Sequence, residues 1–560
     1  MNNPCLTPSD RGDLLDEIEA DSYDLVVVGG GITGAGIARE AAGRGLRVAL
    51  VEANDFAEGT SGRSSKLIHG GLRYLAAGEV DLVRKTVTER TAVHAMAPHL
   101  AEPAWMVVPA RNRVTATKFR AGITTYERLG AVGDEDRHQI WRQDEIRANE
   151  PHLRTDTYNY AVAYREYLTD DARLVLGVLR AAVGLGATVA SRVAVTGLIR
   201  RGDRIRGVIA SCPTTGREVH VRADIVVNAA GPWVDKIARM EQDPPASLLH
   251  LSKGIHVVVP RERFRVNHLV ICNTSDRRSI FVIPRGDVVY IGTTDTSYQG
   301  DRPLWPEIDL HDVEYLLEPL PRYFDIEPLS QSDVVAAWAG VRPLIATAGK
   351  APKEMSRKDE VTVGGGRMIS IAGGKLTGFR RMASDVVEVV AEQLGRDLPA
   401  GPGTAPIPGG VPTAVGSTDR EALRLWRLYG SEAPQVRSLD PERLVEDAPV
   451  VAGEVDWAVQ VDAATTLVDV VYRRLRVAWF VPQHRMELSA AIAERMASLL
   501  CWSPQRLDAE LADVHSRFSD ELTFMSGASG TSNASDTSNA SGTSEASGES
   551  EVSGLSGTSQ

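Results

Sequence analysis

The stretch from Tyr23 to Glu52 constrains the fold more than any other part of the chain. Leu25-Val26-Val27-Val28 is a short apolar, β-branched run of the kind buried in a parallel sheet. It runs straight into Gly29-Gly30-Gly31-Ile32-Thr33-Gly34, which fits GxGxxG through Gly29, Gly31 and Gly34. A helical segment, IAREAAGRG, and a second strand, Arg47-Val48-Ala49-Leu50-Val51, follow in order, and that strand ends on Glu52. Each part has a task. Gly29 makes a tight turn, Gly31 lets the backbone approach a pyrophosphate, and Gly34 lets the helix pack on the strand. The helix N-terminus offers free N–H groups to phosphates. Glu52 stands where a carboxylate accepts hydrogen bonds from ribose hydroxyls. The pattern predicts a dinucleotide-binding βαβ unit. The acid disfavours a 2′-phosphate, so NADP is the least favoured ligand, and the motif alone leaves NAD and FAD open.

Composition then sets bounds. A chain of 560 residues predicts about three or four domains. Cys5, Cys212, Cys272 and Cys501 lie far apart with no CxxC pair, which excludes a disulfide scaffold and a zinc ribbon, and no metal site is expected. The net charge of −12 argues against a general nucleic-acid binder. Most of that charge sits at the ends. Six acids against one arginine in residues 1–22 and four acids in residues 526–560 account for nine of the twelve excess negative charges. The first 22 residues lack the basic start and apolar run of a secretory signal, and no long apolar run suits a spanning helix. A cytoplasmic protein is the expectation.

Residues 1–22 read as an acidic, flexible N-terminus, and the Ser/Gly-rich repeats of 526–560 as a disordered tail. Residues 401–416, GPGTAPIPGGVPTAVG, have linker composition. Residues 417–520 read as a helical domain, with Val468, Val471, Leu475 and Ala478 at helical spacing inside DAATTLVDVVYRRLRVAWF.

Thr60-Ser61-Gly62-Arg63-Ser64-Ser65-Lys66-Leu67-Ile68-His69-Gly70-Gly71-Leu72-Arg73-Tyr74-Leu75 resembles the TSxxSSKLIHGGLRYL signature of the FAD-dependent, respiratory glycerol-3-phosphate dehydrogenases. The likeness continues through Asp170–Leu176, Asn228–Trp233, Lys253–Pro260, Phe281–Pro284, Ile291–Asp295, Ala339–Leu344, Gly373–Thr377 and Pro408–Gly410, in family order. The resemblance implies an α/β fold: a Rossmann-like FAD domain interleaved with an α+β substrate domain of the D-amino-acid-oxidase and glutathione-reductase type, followed by the helical domain. It divides residues 23–400 into a FAD part (mainly 23–95, 165–250 and 360–400) and a substrate part (mainly 96–164 and 251–359).

The implied reaction moves a hydride from C2 of sn-glycerol 3-phosphate to FAD, gives dihydroxyacetone phosphate and passes electrons to a membrane quinone. An oxidase using O₂ and releasing hydrogen peroxide is the alternative; a sarcosine-type flavin oxidase and a non-catalytic FAD protein are weaker ones. The implied FAD contacts are Gly29, Gly31, Gly34, Glu52, Thr60, Ser61, Ser64, Ser65, His69, Val193, Gly231, Gly374, Lys375, Leu376 and Thr377. Arg73, Tyr74, Arg342 and Lys375 are the implied substrate contacts, because arginine holds phosphate bidentately and lysine adds a point charge. The implied catalytic set is Arg342, His256 and Lys375. His256 is the candidate base, on the strength of an ordinary pKa near 6.5; His69, or Arg342 acting electrostatically, are the alternatives. Thr294 and Asp295 are expected to shape the pocket. Arg63 departs from the family pattern, either touching the flavin loop or facing solvent. The segment Arg111–Arg128 carries five cations against Glu127, with Phe119, Ile123 and Tyr126 interleaved. It is expected to approach the cytoplasmic face of a membrane peripherally. A homodimer is a further expectation.

Overall fold

The Leu25–Val28 run forms the centre of the first of two sheets in a computed structural model of the chain. The structure describes residues 4–7, 10–71, 80–130, 132–241, 247–346, 359–413 and 419–525. Strand Ser22–Val28 lies between Arg217–Asn228 and Val48–Val51, parallel to both. Thr188–Ala190 extends the sheet on one side and Ile369–Gly373 on the other, both parallel, and Asp359–Val363 closes that edge antiparallel. All but the first residue of the central strand is buried, which explains why its text is continuous rather than alternating. Helix Ile32–Gly43 covers one face with helices Asp171–Gly184 and Phe379–Leu394. Helix Arg11–Ala20 packs on the other face through Leu15 and Ile18, beside Val219 and Val221.

The second sheet is mainly antiparallel. Its strand Leu249–Pro260 pairs with Val288–Gly292 and with Ala336–Ile345, so that His256 faces both Gly292 and Trp338. Glu102–Ala110 and Tyr160–Leu168 continue the sheet to Leu67–Ile68. Alternation along Leu249–Pro260 sorts the side chains. Ile255, Val257 and Val259 enter a core with helix Leu310–Leu317. Val258 enters a different core, shared with Trp338, Tyr290 and the C-terminal helices. The helical unit is therefore seated on the second sheet.

Three expectations change. The N-terminal segment is docked rather than flexible: Leu6 is buried in the first core, helix Arg11–Ala20 packs through Leu15 and Ile18, and the charge total hid these apolar side chains. The Gly/Pro segment is anchored at its middle, with Ile407 buried in the first core and the Ala405 carbonyl accepting from Arg39 at 2.9 Å, while residues 411–413 are exposed. The run from Asp462 to Phe480 is not one helix. It breaks into Leu467–Asp469, a π-turn Val470–Arg474 and Val477–Phe480, with Arg476 left-handed at φ 62°. Arg420–Tyr429 and Arg485–Leu500 form helices where the text reads helical. The tail 526–560 lies outside the described residues.

Candidate functional site

The C-terminal ends of the parallel strands open into a cleft of about 1190 Å³, which the second sheet walls on its far side through Met106, Val108 and Tyr164. This is where open α/β sheets bind ligands, and the volume exceeds the ~300–1,000 Å³ of drug-sized pockets. Gly29 leaves the central strand at φ 115°, with the Ala229 carbonyl oxygen 2.6 Å from where a Cβ would stand. A Cβ on Gly34 would collide with the Gly29 carbonyl oxygen. Gly31 is the N-cap of helix Ile32–Gly43 and borders the cleft, so its bare backbone faces the cavity. Ser61 Oγ accepts the Ile32 N–H at 2.9 Å, which brings the Thr60–Ser65 loop against the helix N-terminus.

Glu52 borders the cleft with both oxygens already engaged. Oε2 accepts from the Gly30 N–H at 2.6 Å and Oε1 from the Asn54 N–H at 2.8 Å. Burial pushes its pKa up, against these two hydrogen bonds. Each oxygen keeps a further lone pair for a ribose hydroxyl. Val193 is held beside it, its N–H donating to the Glu52 carbonyl at 2.7 Å. Thr60, His69, Gly231, Gly374, Leu376 and Thr377 also border the cavity or the groove leading to it. Ser64 borders the cavity too, while its hydroxyl donates to Asp171 at 2.7 Å and accepts the Lys66 N–H at 2.9 Å.

Cations gather on the other side. Arg342 lies in strand Ala336–Ile345, donating to Thr293 Oγ1 at 2.8 Å and the Thr294 carbonyl at 3.1 Å, and pairs with Asp295 at 3.3 Å. Gly254 makes room for this guanidinium. Arg278, which sequence reasoning missed, donates to the Asp295 carbonyl at 2.8 Å and borders the same cavity. Lys375 borders it from the turn after Ile369–Gly373. Arg73 and Tyr74 lie outside the described residues.

His256 is buried, stacks on Trp338 at 4.6 Å between centroids and 11° between planes, and shares a hydrogen bond of 2.9 Å with Ser65 Oγ. Its pKa is not the ordinary one. Burial, then the positive charges of Lys66 and Arg342, push it well below 6.5. Nothing in the strand's own text signals this, because Lys66 and Arg342 arrive from other elements. Arg63 is buried rather than solvated: it stacks over Trp305 at 3.7 Å and donates to the Glu58 and Ala339 carbonyls, and burial lowers its pKa to about 10. Lys66 and Asp171, both fully buried, form an ion pair of 3.0 Å beneath the loop. Among the described residues no group of His, Cys, Asp or Glu is placed to hold a metal ion.

A family model described as FAD dependent oxidoreductase matches residues 24–380, and one described as the C-terminal domain of alpha-glycerophosphate oxidase matches residues 367–507. Fold and site together thus define a FAD dependent oxidoreductase. The aerobic glycerol-3-phosphate dehydrogenase of Staphylococcus aureus (strain USA300) is 34% identical over 529 residues, which covers 89% of this chain and 95% of the relative. The X-ray structure of the Bacillus halodurans glycerol-3-phosphate dehydrogenase complexed with FAD superposes with a TM-score of 0.77 and 31% identity, covering 93% of this chain and 99% of that one. Within the FAD dependent oxidoreductases the chain belongs to the glycerol-3-phosphate dehydrogenase family. An L-alpha-glycerophosphate oxidase from Mycoplasma pneumoniae with FAD bound shares the fold, with a TM-score of 0.52 at 16% identity over 70% of this chain. The residues fit FAD: a Cβ-free glycine path runs beside a helix N-terminus, and a carboxylate with spare lone pairs stands at the second strand's end.

Proposed function

We propose that the protein oxidises sn-glycerol 3-phosphate at C2 to dihydroxyacetone phosphate. The observation that carries this reading is Arg342, aimed at the cleft and braced by Thr293, Thr294 and Asp295, opposite the dinucleotide cradle. FAD, when bound, supplies the two-electron hydride acceptor. Gly31 admits its pyrophosphate, with Gly29 making the turn and Gly34 seating the helix on the strand; Glu52 meets its adenosine ribose, and the Thr60–Ser65 and Gly374–Thr377 segments its remainder. Arg342 and Lys375 hold the substrate phosphate, and the reading extends this role to Arg73 and Tyr74. His256 takes the C2 hydroxyl proton through Ser65. Its depressed pKa keeps the imidazole unprotonated at neutral pH, yet makes it a weak acceptor. The Arg342 charge beside the developing alkoxide offsets that weakness.

We further propose a membrane quinone as the electron acceptor. Helix Arg113–Leu129 supports this: Lys118 and Phe119 reach the cleft's lining, while Arg111, Arg113, Arg120 and Arg128 stay exposed on its outer side. Such a helix suits an anionic lipid surface at the cytoplasmic face. Among the described residues no helix is long and apolar enough to cross a membrane. The oxidase reading stays as the alternative because the C-terminal family model carries an oxidase's description. Anaerobic mixing of the holoenzyme with glycerol 3-phosphate tests the main reading: the flavin absorbance is expected to bleach, and an unbleached spectrum overturns it. Peroxide released in proportion to turnover, with no stimulation by a quinone analogue, selects the oxidase.

A further inference from the structure

We infer that the broken segment Val470–Phe480 of the C-terminal helical unit is a positioning device for the cofactor loop and for His256, with Arg476 and Trp479 as its two working residues. The inference rests on the reading that the cleft takes FAD. Two separate routes lead from this segment into the cleft.

The first route is ionic. Arg476 stands between the π-turn and the next short helix in a left-handed conformation that side chains rarely adopt. That bend sends its guanidinium inward, where it is almost fully buried. It donates to Asp171 Oδ1 at 2.6 Å, pairs with Asp170 at 3.2 Å and reaches the Gly62 carbonyl at 3.4 Å. Lys66 donates to the same Gly62 carbonyl and the same Asp171, both at 3.1 Å. Asp171 also holds Ser64 through its N–H at 2.9 Å and its hydroxyl at 2.7 Å. Burial alone would raise the Asp171 pKa, but Lys66 and Arg476 pull it below the usual carboxylate range. One carboxylate with two buried cations thus fixes Gly62, Ser64 and Lys66 together. Those residues carry Thr60, Ser61 and Ser65 along the cleft wall. Arg473 and Arg474 add to the hold, both pairing with Asp55 just ahead of the loop.

The second route is aromatic. Trp479 packs on Trp338 at 4.9 Å and 30°, and Trp338 stacks on His256 at 4.6 Å and 11°. Trp479 Nε1 donates to Glu521 at 3.1 Å, which fixes its ring. Lys66 Nζ lies 4.9 Å from the Trp338 ring and 5.0 Å from that of Trp479, so the two routes meet at Lys66. The helical unit is therefore continuous with the wall that presents Ser65 and His256.

The two routes predict separable effects. In the holoenzyme, Arg476→Gln leaves Asp171 with one cation and frees the Gly62 end of the loop; the FAD dissociation constant is expected to rise about tenfold or more, and the visible circular dichroism of bound flavin to change. Arg476→Lys, which keeps the charge but not the reach to Gly62, is expected to rescue about half of that loss on a logarithmic scale. Trp479→Leu is expected to lower the saturating rate of anaerobic flavin bleaching by about tenfold, because small misplacements far from the chemistry cost that much. Its FAD affinity and its half-saturating glycerol 3-phosphate concentration stay within about twofold. Wild-type FAD affinity, circular dichroism and bleaching rate in Arg476→Gln and Trp479→Leu, whatever happens to their melting temperatures, overturn the inference. Should Arg476→Gln not fold, Arg476→Lys decides the ionic route, and wild-type FAD affinity and flavin circular dichroism in it overturn that route. Trp479→Phe decides the aromatic route in the same way, with a bleaching rate reduced but less than in Trp479→Leu expected and an unchanged one overturning it. If wild-type enzyme itself is not bleached by glycerol 3-phosphate, the substrate reading fails, while FAD affinity and circular dichroism still test the positioning role.

Discussion

Replacing Arg342 by alanine removes a guanidinium that is 23% exposed and braced by Thr293, Thr294 and Asp295. The brace matters for the magnitude, because the side chain is already ordered and little conformational entropy is lost on meeting a phosphate. A charge-assisted hydrogen bond contributes about 1.5–3 kcal/mol, and a planar guanidinium offers two to one anion. Partial exposure screens the pair, so the low end applies: about 3 kcal/mol, or roughly a 150-fold loss in kcat/KM. Arg342→Lys keeps the charge but cannot hold both Thr293 and the phosphate, so it should fall between wild type and alanine. The assay is anaerobic stopped-flow bleaching of the flavin across a range of glycerol 3-phosphate concentrations, with the flavin spectrum checking that FAD stays bound. A loss confined to KM would mean that Arg342 serves binding alone; a fall in the saturating rate as well would mean that it also stabilises the developing alkoxide. A folded, FAD-loaded Arg342→Ala enzyme within about threefold of wild-type kcat/KM refutes the reasoning.

Gly34→Ala puts a methyl group into the Gly29 carbonyl oxygen, so the helix must move off the strand. Overpacking of about 1–3 kcal/mol lowers FAD affinity by roughly 5- to 150-fold, read by titration of apoprotein with FAD. Glu521 yields a pH prediction. Burial first, against Trp479, Arg63 and Arg485, raises its pKa from the ordinary 4.5 to about 8. Between those two values the folded state keeps a proton that the unfolded chain has released. Its contribution to stability therefore falls as pH rises through that window and levels off above it. Glu521→Gln should flatten this slope, so its melting temperature should gain on wild type from about pH 5 to about pH 8. Parallel melting curves for the two proteins across that range would sink the assignment.

Legibility followed sequence distance. The dinucleotide cradle was readable because strand, glycines, helix, second strand and Glu52 lie within thirty residues, where chain geometry alone brings them together. The family resemblance brought Arg342, Lys375, His256 and the Thr60–Ser65 loop to notice, and the structure sets residues of all four along one cleft. Arg278 was missed because no local pattern separates it from the other cations among 62 basic residues. The N-terminal helix was misread because charge was counted over a segment whose pattern held Leu15 and Ile18 on one buried face.

What the sequence by itself determined is the set of parts: a βαβ nucleotide cradle with its glycines and Glu52, and a helical unit that follows the two-sheet body. What only the tertiary structure decided is their electrostatic and packing environment. His256 loses its ordinary basicity to burial against Trp338 and to charges on two other elements. Asp171 stays ionised in the interior because Lys66, 105 residues before it, and Arg476, 305 residues after it, arrive at the same carboxylate. Burial and charge–charge attraction depend on what lies near in space, and at such separations along the chain only the folded packing of both sheets and the helical unit sets that.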